Sequence, residues 1–269
     1  MNRMFLIMAI AVSMMACRQE RLTILHTNDT HSCIEPERDG GAGVLNRALL
    51  LEHLRDSIGA DNVLLFDCGD FSQGSLYYNA FKGAAEIELM NAMGYDACAI
   101  GNHEFDFGMD NMARIFSMAE FPIVCANYDF AGTVCEGIVK PWAIIERAGM
   151  RIGVFGLSPD PEGLVLKENY AGVRFVSPLE AAQKAVAALE EEGCDAIVCL
   201  SHLGWKIGNE FNDERLAAET SGIDVILGGH SHDSFGEPLV YKNSNGEDVV
   251  VQQVGKNGRR LGYVTLVSE

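Results

Sequence analysis

Five short polar clusters in this 269-residue sequence concentrate histidine, aspartate and asparagine. They read His26-Thr27-Asn28-Asp29-Thr30-His31, Asp67-Cys68-Gly69-Asp70, Gly101-Asn102-His103-Glu104-Phe105-Asp106-Phe107-Gly108, Ser201-His202-Leu203-Gly204 and Gly228-Gly229-His230-Ser231-His232. Carboxylate oxygen, imidazole nitrogen and side-chain amide oxygen form a donor set suited to divalent ions such as Mn, Zn or Fe. Taken singly the clusters say little. An Asp in such a turn commonly bonds turn amides, and a lone His at a strand end is more often structural than a ligand. His230 and His232, one residue apart, speak more directly for a metal, and the joint occurrence of all five carries the reading. The absence of any Cys-x-x-Cys pair sets it apart from structural zinc sites.

Chemistry of this kind needs elements that bring distant turns together. Apolar runs of strand length stand at 22–25, 63–66, 97–100, 123–126, 152–157, 196–200 and 225–227. They alternate with helical patterns at 44–57, 84–93, 111–119, 179–192 and 214–220. In the fourth of these, Leu179, Ala182, Val186 and Leu189 share one helical face; Ser177-Pro178 opens it and Gly193 stops it. The alternation predicts buried strands flanked by helices, and the clusters fall just after strands, where open α/β sheets bind ligands. Towards the end, 239–241, 249–254 and 261–267, separated by turns at Asn245-Gly246 and Asn257-Gly258, read as antiparallel hairpins. With no repeat and no Pro/Gly/Ser linker, 21–269 reads as one α/β domain.

In this order the clusters resemble the calcineurin-like metallophosphoesterases, and most of all the catalytic domain of the 5'-nucleotidase and UDP-sugar hydrolase family. Asn-Asp-x-His, Gly-Asp, Gly-Asn-His-Glu, Ser-His and Gly-His-x-His are all present, and the extension of the third cluster to Gly108 is characteristic of the nucleotidase branch. The match runs from about residue 22 to 267. It implies a four-layer α/β/β/α sandwich and a phosphoester hydrolase with two divalent metal ions. Asp29, His31 and His232 would hold one ion and Asn102, His202 and His230 the other, with Asp70 bridging both. Two ions at roughly 3.5–4 Å polarise a phosphoryl group and activate a water. His103, oriented by Asp106, would face the phosphoryl group as acid or charge stabiliser and not as a ligand. Glu104, Asp67 and Ser201 would orient ligands, and Phe105 and Phe107 would be packed. Gly40-Gly41-Ala42-Gly43 lacks the Lys-Ser/Thr of a nucleotide P-loop and reads as a tight turn before a helix.

The family also carries a second domain whose aromatic residues stack a base and whose arginines grip phosphates. The sequence reaches Glu269 without one, so nucleotide specificity does not carry over, and a separate protein resembling that domain is an expected partner. The expected substrate is a phosphorylated small molecule, foremost a nucleotide. Rival readings are a cyclic phosphodiesterase, a UDP-sugar hydrolase, a thiosulfate-ester hydrolase, or a metal- or nucleotide-binding surface protein without turnover. The formal net charge of -18 offers nucleic acid no basic footprint.

Met1-Asn2-Arg3, an apolar run over 4–16 and then Cys17 read as a bacterial lipoprotein signal, with Met14 where Leu is usual. Cys17 would carry the lipid, 18–20 would form a short tether, and Arg18 lacks the Asp that marks inner-membrane retention in enteric bacteria. The expectation is an outer-membrane lipoprotein facing the periplasm or the outside. Of the seven remaining cysteines most sit in apolar strand-like runs as small hydrophobes, with a Cys125–Cys135 bridge left open.

Overall fold

Successive residues of a strand point to opposite faces, and the apolar residues here use both. In the computed structural model, which describes residues 21–208 and 210–268, the chain begins with β1 (Arg21–Thr27), α1 (Val44–Ile58), β2 (Val63–Asp67), α2 (Leu76–Phe81), α3 (Ala84–Met93), β3 (Ala97–Ala99) and α4 (Gly108–Phe116). Next come β4 (Ile123–Val124), β5 (Tyr128–Asp129), β6 (Trp142–Arg147), β7 (Met150–Leu157), β8 (Arg174–Phe175) and α5 (Pro178–Glu191). The remainder is β9 (Ala196–Ser201), α6 (Asp213–Glu219), β10 (Val225–Leu227), β11 (Leu239–Lys242), β12 (Asp248–Gln252) and β13 (Gly262–Val267).

The main strands form two sheets, ordered β13-β1-β2-β3-β4 and β11-β12-β10-β9-β7-β6. Their centres are parallel, and their antiparallel neighbours β13, β11 and β6 stand at the edges. Alternate residues divide the apolar side chains among three cores. Leu22, Ile24, Leu64 and Phe66 meet Val154, Val198, Leu200 and Val225 between the sheets. Leu25, Leu65 and Cys98 turn the other way, onto Leu51 of α1, Ile87 and Met90 of α3 and Ile115 of α4. On the second sheet Ile197, Cys199 and Ile226 pack on Ala182, Val186 and Leu189 of α5 and Leu216 of α6. The result is the expected α/β four-layer α/β/β/α sandwich.

Several readings from sequence need correction. β11 and β12 do form a hairpin, but β12 and β13 do not. β12 runs parallel to β10 in one sheet, whereas β13 crosses to the other and pairs with β1. Turn residues mark a reversal of the chain; they do not say which sheet receives the next strand. β6 has no counterpart among the expected strands because it is an edge strand with mostly half-buried residues and no sharp alternation. The helix α2 is six residues long, with Ser75 accepting the Tyr78 N–H as its cap. Cys125 and Cys135 are not bridged. All seven cysteines among the described residues are free, Cys125 Sγ lying against Asn127 Oδ1 and Ser158 Oγ and Cys135 Sγ against the Met109 carbonyl. The signal segment and Cys17 lie outside the described residues. Among those described, no helix is long and apolar enough to cross a membrane.

Candidate metal centre

The five clusters follow the carboxyl ends of β1, β2, β3, β9 and β10. Register holds those ends level: Thr27 pairs with Asp67, Asp67 with Cys98, and Leu200 with Leu227. The first cluster starts later than the sequence suggests. His26 belongs to β1, fully buried with Nε2 against Gln252 Oε1 at 3.2 Å, and burial lowers its pKa to about 4. It is no part of the site.

Beyond the strands the backbone turns sharply. Asp29, His31, Asp70, His230 and His232 all have positive φ, a conformation that costs non-glycine residues energy and gathers at functional sites. The first two turns are laced together: Asp29 N–H donates to Gly69 O, His31 N–H to Asp70 O and Ser32 N–H to Phe71 O, at 2.8–3.0 Å. The turns are thereby folded inward, and their side chains converge.

The side chains gather in three overlapping groups, of which two hold only residues expected as ligands. Ligand atoms of Asp29, His31 and His232 lie within 4.8 Å of one another, as do those of Asp70, His202 and His230. His31 Nε2 and His232 Nε2 are 3.0 Å apart, a spacing natural to two nitrogens that each stand about 2.0–2.1 Å from one ion. His202 donates from Nδ1 to the Cys68 carbonyl at 2.7 Å, which leaves Nε2 as the free lone pair. That Nε2 stands 3.0 Å from Asp70 Oδ2 and 3.9 Å from Asp29 Oδ1, yet has no aligned hydrogen-bond partner. Asn102 Oδ1 is likewise buried and unpartnered. Two orphaned buried acceptors, one of them against two carboxylates, fit a cation, because leaving them unsatisfied would otherwise cost about 1–3 kcal/mol each.

Electrostatics point the same way. Burial alone would keep the His202 imidazole neutral, but with no cation beside it the Asp70 carboxylate draws a proton onto Nε2 and pushes the pKa up to about 10; a bound cation would take the place of that proton and restore the lone pair. Burial likewise opposes ionising Asp70, yet the positive charge drawn to His202 holds its carboxyl below the usual carboxylate range. The pocket pulls positive charge toward itself.

Behind the ligands stands a scaffold that the sequence reveals only in part. The buried Glu104 carboxylate accepts the N–H groups of Asp70, Ser72 and Gly101 at 3.0, 3.1 and 2.6 Å, tying the second cluster to the third. Burial, then the nearby Asp70 charge, raises its pKa to about 7. Asp67 accepts from Gly69 N–H at 2.9 Å and Thr27 Oγ1 at 2.6 Å, stiffening its own turn. Ser201 Oγ donates to the Asp213 carboxylate. Three further supports appear in the structure. Asn28 donates to Asp29 Oδ2 at 2.6 Å; Asp213 receives Ser201; and Gln253 accepts from Ser231 Oγ at 2.9 Å and Asp233 N–H at 2.5 Å, fixing the His230–His232 turn. The last does have a signal in the sequence: Gln252-Gln253 interrupts an apolar strand run.

Gly101 shows how tightly the turns fit. A Cβ there would stand 2.1 Å from Asp70 Oδ1 and 2.6 Å from its backbone nitrogen. Gly101→Ala is expected to shift the Asp70 turn as well as its carboxylate, weakening metal binding by roughly 10–100-fold or more, as loss of a ligand's support typically does. Metal titration followed by calorimetry, with circular dichroism as the control, reads it; unchanged affinity would show that Asp70 is not held against this glycine.

His103 belongs to neither of the two ligand groups but lies against both. Its Nδ1 meets Asp106 Oδ2 at 3.0 Å, and its backbone N–H donates to Asp70 Oδ1 at 2.9 Å. Burial favours the neutral ring, but Asp106 and Asp70 together raise its pKa. The ring also lies within reach of His31 and Asp70, so geometry alone admits it as a ligand. Phe105 is fully buried, as expected; Phe107 is not, at 38% exposed, leaning on Tyr78 with ring centroids 5.1 Å apart. A groove of about 630 Å³ leads away from His31, His103 and His232, between segments 32–35 and 73–77 and past Lys256 and Asn257. It brings Tyr77 beside the site, an aromatic that nothing in the sequence pattern places there.

A strand-end cluster of this composition on a two-sheet sandwich defines a metal-dependent phosphoesterase scaffold. The family model for calcineurin-like phosphoesterases matches residues 22–234, and the chain belongs to that family. It is 33% identical to a snake venom 5'-nucleotidase of Gloydius brevicauda, over 91% of this chain and 45% of that protein. It is 31% identical to a probable 5'-nucleotidase of Treponema pallidum, over 99% of this chain and 49% of that one. The solved structure of a 5'-nucleotidase precursor from Thermus thermophilus superposes with a TM-score of 0.82 at 37% identity, covering 91% of this chain and 51% of that one. The chain thus spans about half the length of the relatives it matches.

Proposed function

We propose that this chain is a hydrolase of phosphate esters, foremost of nucleotides, working with two divalent ions outside the cytoplasm. Asp29, His31 and His232 hold one ion and Asn102, His202 and His230 the other, with Asp70 between them. The observation that carries the reading is the pair of buried, partnerless acceptors, Asn102 Oδ1 and His202 Nε2, the latter against Asp29 and Asp70. The ions, when bound, polarise the phosphoryl group and lower the pKa of the attacking water. The remaining work falls to the protein. The turns with positive φ hold the ligand atoms in place before substrate arrives. Glu104 prevents the second and third turns from drifting apart. His103, aligned by Asp106, stands beside the phosphoryl position to stabilise its charge or protonate the leaving oxygen. The test is a substrate panel on protein reconstituted with Mn, Zn or Fe: aryl phosphate, nucleoside monophosphates, a cyclic nucleotide and a UDP-sugar. Hydrolysis of the monoesters that disappears with chelator and returns with metal is expected. Stoichiometric metal binding with no turnover on any ester would favour a binding protein instead.

The reading includes residues 1–17 as a lipoprotein signal, 18–20 as a tether, and Cys17 as the lipid-bearing attachment to the outer membrane. It also includes a separate protein, resembling the substrate-binding domain of the family, as a partner. Cys17→Ser is expected to move the protein from the membrane to the soluble fraction on cell fractionation. Retention in the membrane as firm as that of the wild type would show that the lipid is not the anchor.

A further inference from the structure

The loop between β12 and β13 carries Lys256, Arg259 and Arg260, a basic run in a chain of net charge -18. Two of these cations are engaged away from the site. Arg259 pairs with Asp39 at 3.1 Å and with Glu37, and Arg260 donates to Ser234 Oγ at 2.7 Å. Lys256 is exposed, lines the groove with His31, His103 and His232, and has no ion-pair partner among the described residues. Of the groove's two carboxylates, Glu37 is taken by Arg259 and by Asn257 Nδ2, and Glu35 accepts the Tyr77 hydroxyl at 2.5 Å.

The position of Lys256 is fixed to the metal turn. Asn28, which steadies Asp29, donates to Gly255 O at 2.6 Å and accepts from Val254 N–H at 3.1 Å. On the other side Asn257, held at positive φ, donates its N–H to Asp29 O at 2.7 Å. Residues on both sides of Lys256 are therefore hydrogen-bonded to Asn28 and Asp29, one of them a proposed ligand. A lysine whose neighbours are held beside the metal turn, lining the groove and with no ion-pair partner among the described residues, is within the groove that a negative group next along the substrate would enter.

We propose that Lys256 determines specificity by receiving a second phosphate, the inner one of a substrate whose terminal phosphoryl lies over the histidines. The proposal rests on the hydrolase reading above and deepens it: phosphoanhydrides such as nucleoside diphosphates are favoured over the corresponding monophosphates. In the step, water oxygen bonds to the terminal phosphorus as the bond from that phosphorus to the bridging oxygen breaks. The bridging oxygen leaves with the inner phosphate, and the proton of the water passes to solvent. Lys256 stabilises the inner phosphate as it acquires that charge.

The experiment compares kcat/KM for ADP, AMP and an aryl phosphate using metal-loaded wild type and Lys256→Met, Lys256→Glu and Lys256→Arg. The ADP-to-AMP ratio is expected to fall roughly tenfold in the Met variant, the size of a lost charge-assisted contact, further in the Glu variant, and to recover in the Arg variant. Hydrolysis of the aryl ester with an unaltered ADP-to-AMP ratio in the Met and Glu variants overturns the proposal alone. An equal fall on all three substrates also overturns it, since that is the signature of a merely structural lysine. Failure of the wild type to hydrolyse any of the three overturns the hydrolase reading and this proposal with it.

Discussion

Replacing Asp70 by Asn is expected to remove at least one bound ion and nearly all hydrolysis. Asp70 is buried, with Oδ2 3.0 Å from His202 Nε2 and Oδ1 held by the His103 N–H, and it lies within reach of both His31 and His230. Asn is nearly isosteric and leaves packing intact, but it removes the negative charge and one of the two oxygens. Asp29 is the other carboxylate at hand, but its Oδ1 stands 3.9 Å from His202 against 3.0 Å for Asp70 Oδ2, and both its oxygens already accept the His230 N–H. The rate should fall by at least on the order of 10²–10³-fold, the size of losing one well-placed electrostatic group, and further if an ion departs. Elemental analysis alongside activity reads both. Two ions per chain with unchanged activity would remove Asp70 from the bridging position.

His103→Asn should separate rate from metal content. The variant keeps an N–H for Asp106 but cannot carry the imidazolium charge. If His103 acts on the phosphoryl group, kcat falls about 10²–10⁴-fold while bound metal and substrate affinity stay at wild-type levels. If His103 completes a ligand group with His31 and Asp70, as their proximity allows, metal content drops in step with activity. The same measurement thus decides between acid and ligand.

The centre of this protein is legible in its sequence and the edges are obscure, for physical reasons. A parallel strand buried on both faces is a continuous apolar run, so β1, β2, β7, β9 and β10 are readable, and the candidate ligand residues cluster where those runs stop. The supports behind the ligands are harder to find because their partners lie far off along the chain. Gln253 fixes a turn some 20 residues earlier, and Asn28 reaches Gly255, 227 residues away. Nothing local in either segment requires such a bond. The expected packing of Phe107 fails for a related reason: membership of a turn does not say which side of it meets the core. The groove is invisible in sequence because it depends on α2, a helix too short for periodicity to mark, and on the β12–β13 loop reaching the turn after β1 from the other end of the chain.

That last pairing has a geometric consequence. β13 lies antiparallel beside β1, with Arg21 opposite Val267 and His26 opposite Gly262. The two ends of the described fold are therefore neighbours, and they leave from the edge opposite the site. Thr27 at the site end and Arg21 at the far end are six residue steps apart, about 20 Å at 3.3 Å per step. Anything joined ahead of Arg21 or behind Val267 begins on the back of the molecule. A membrane tether at the front end would then hold the groove outward, facing away from the surface to which the protein is fixed. A partner or further domain attached at the rear would have to wrap around the sandwich before it could touch a bound substrate.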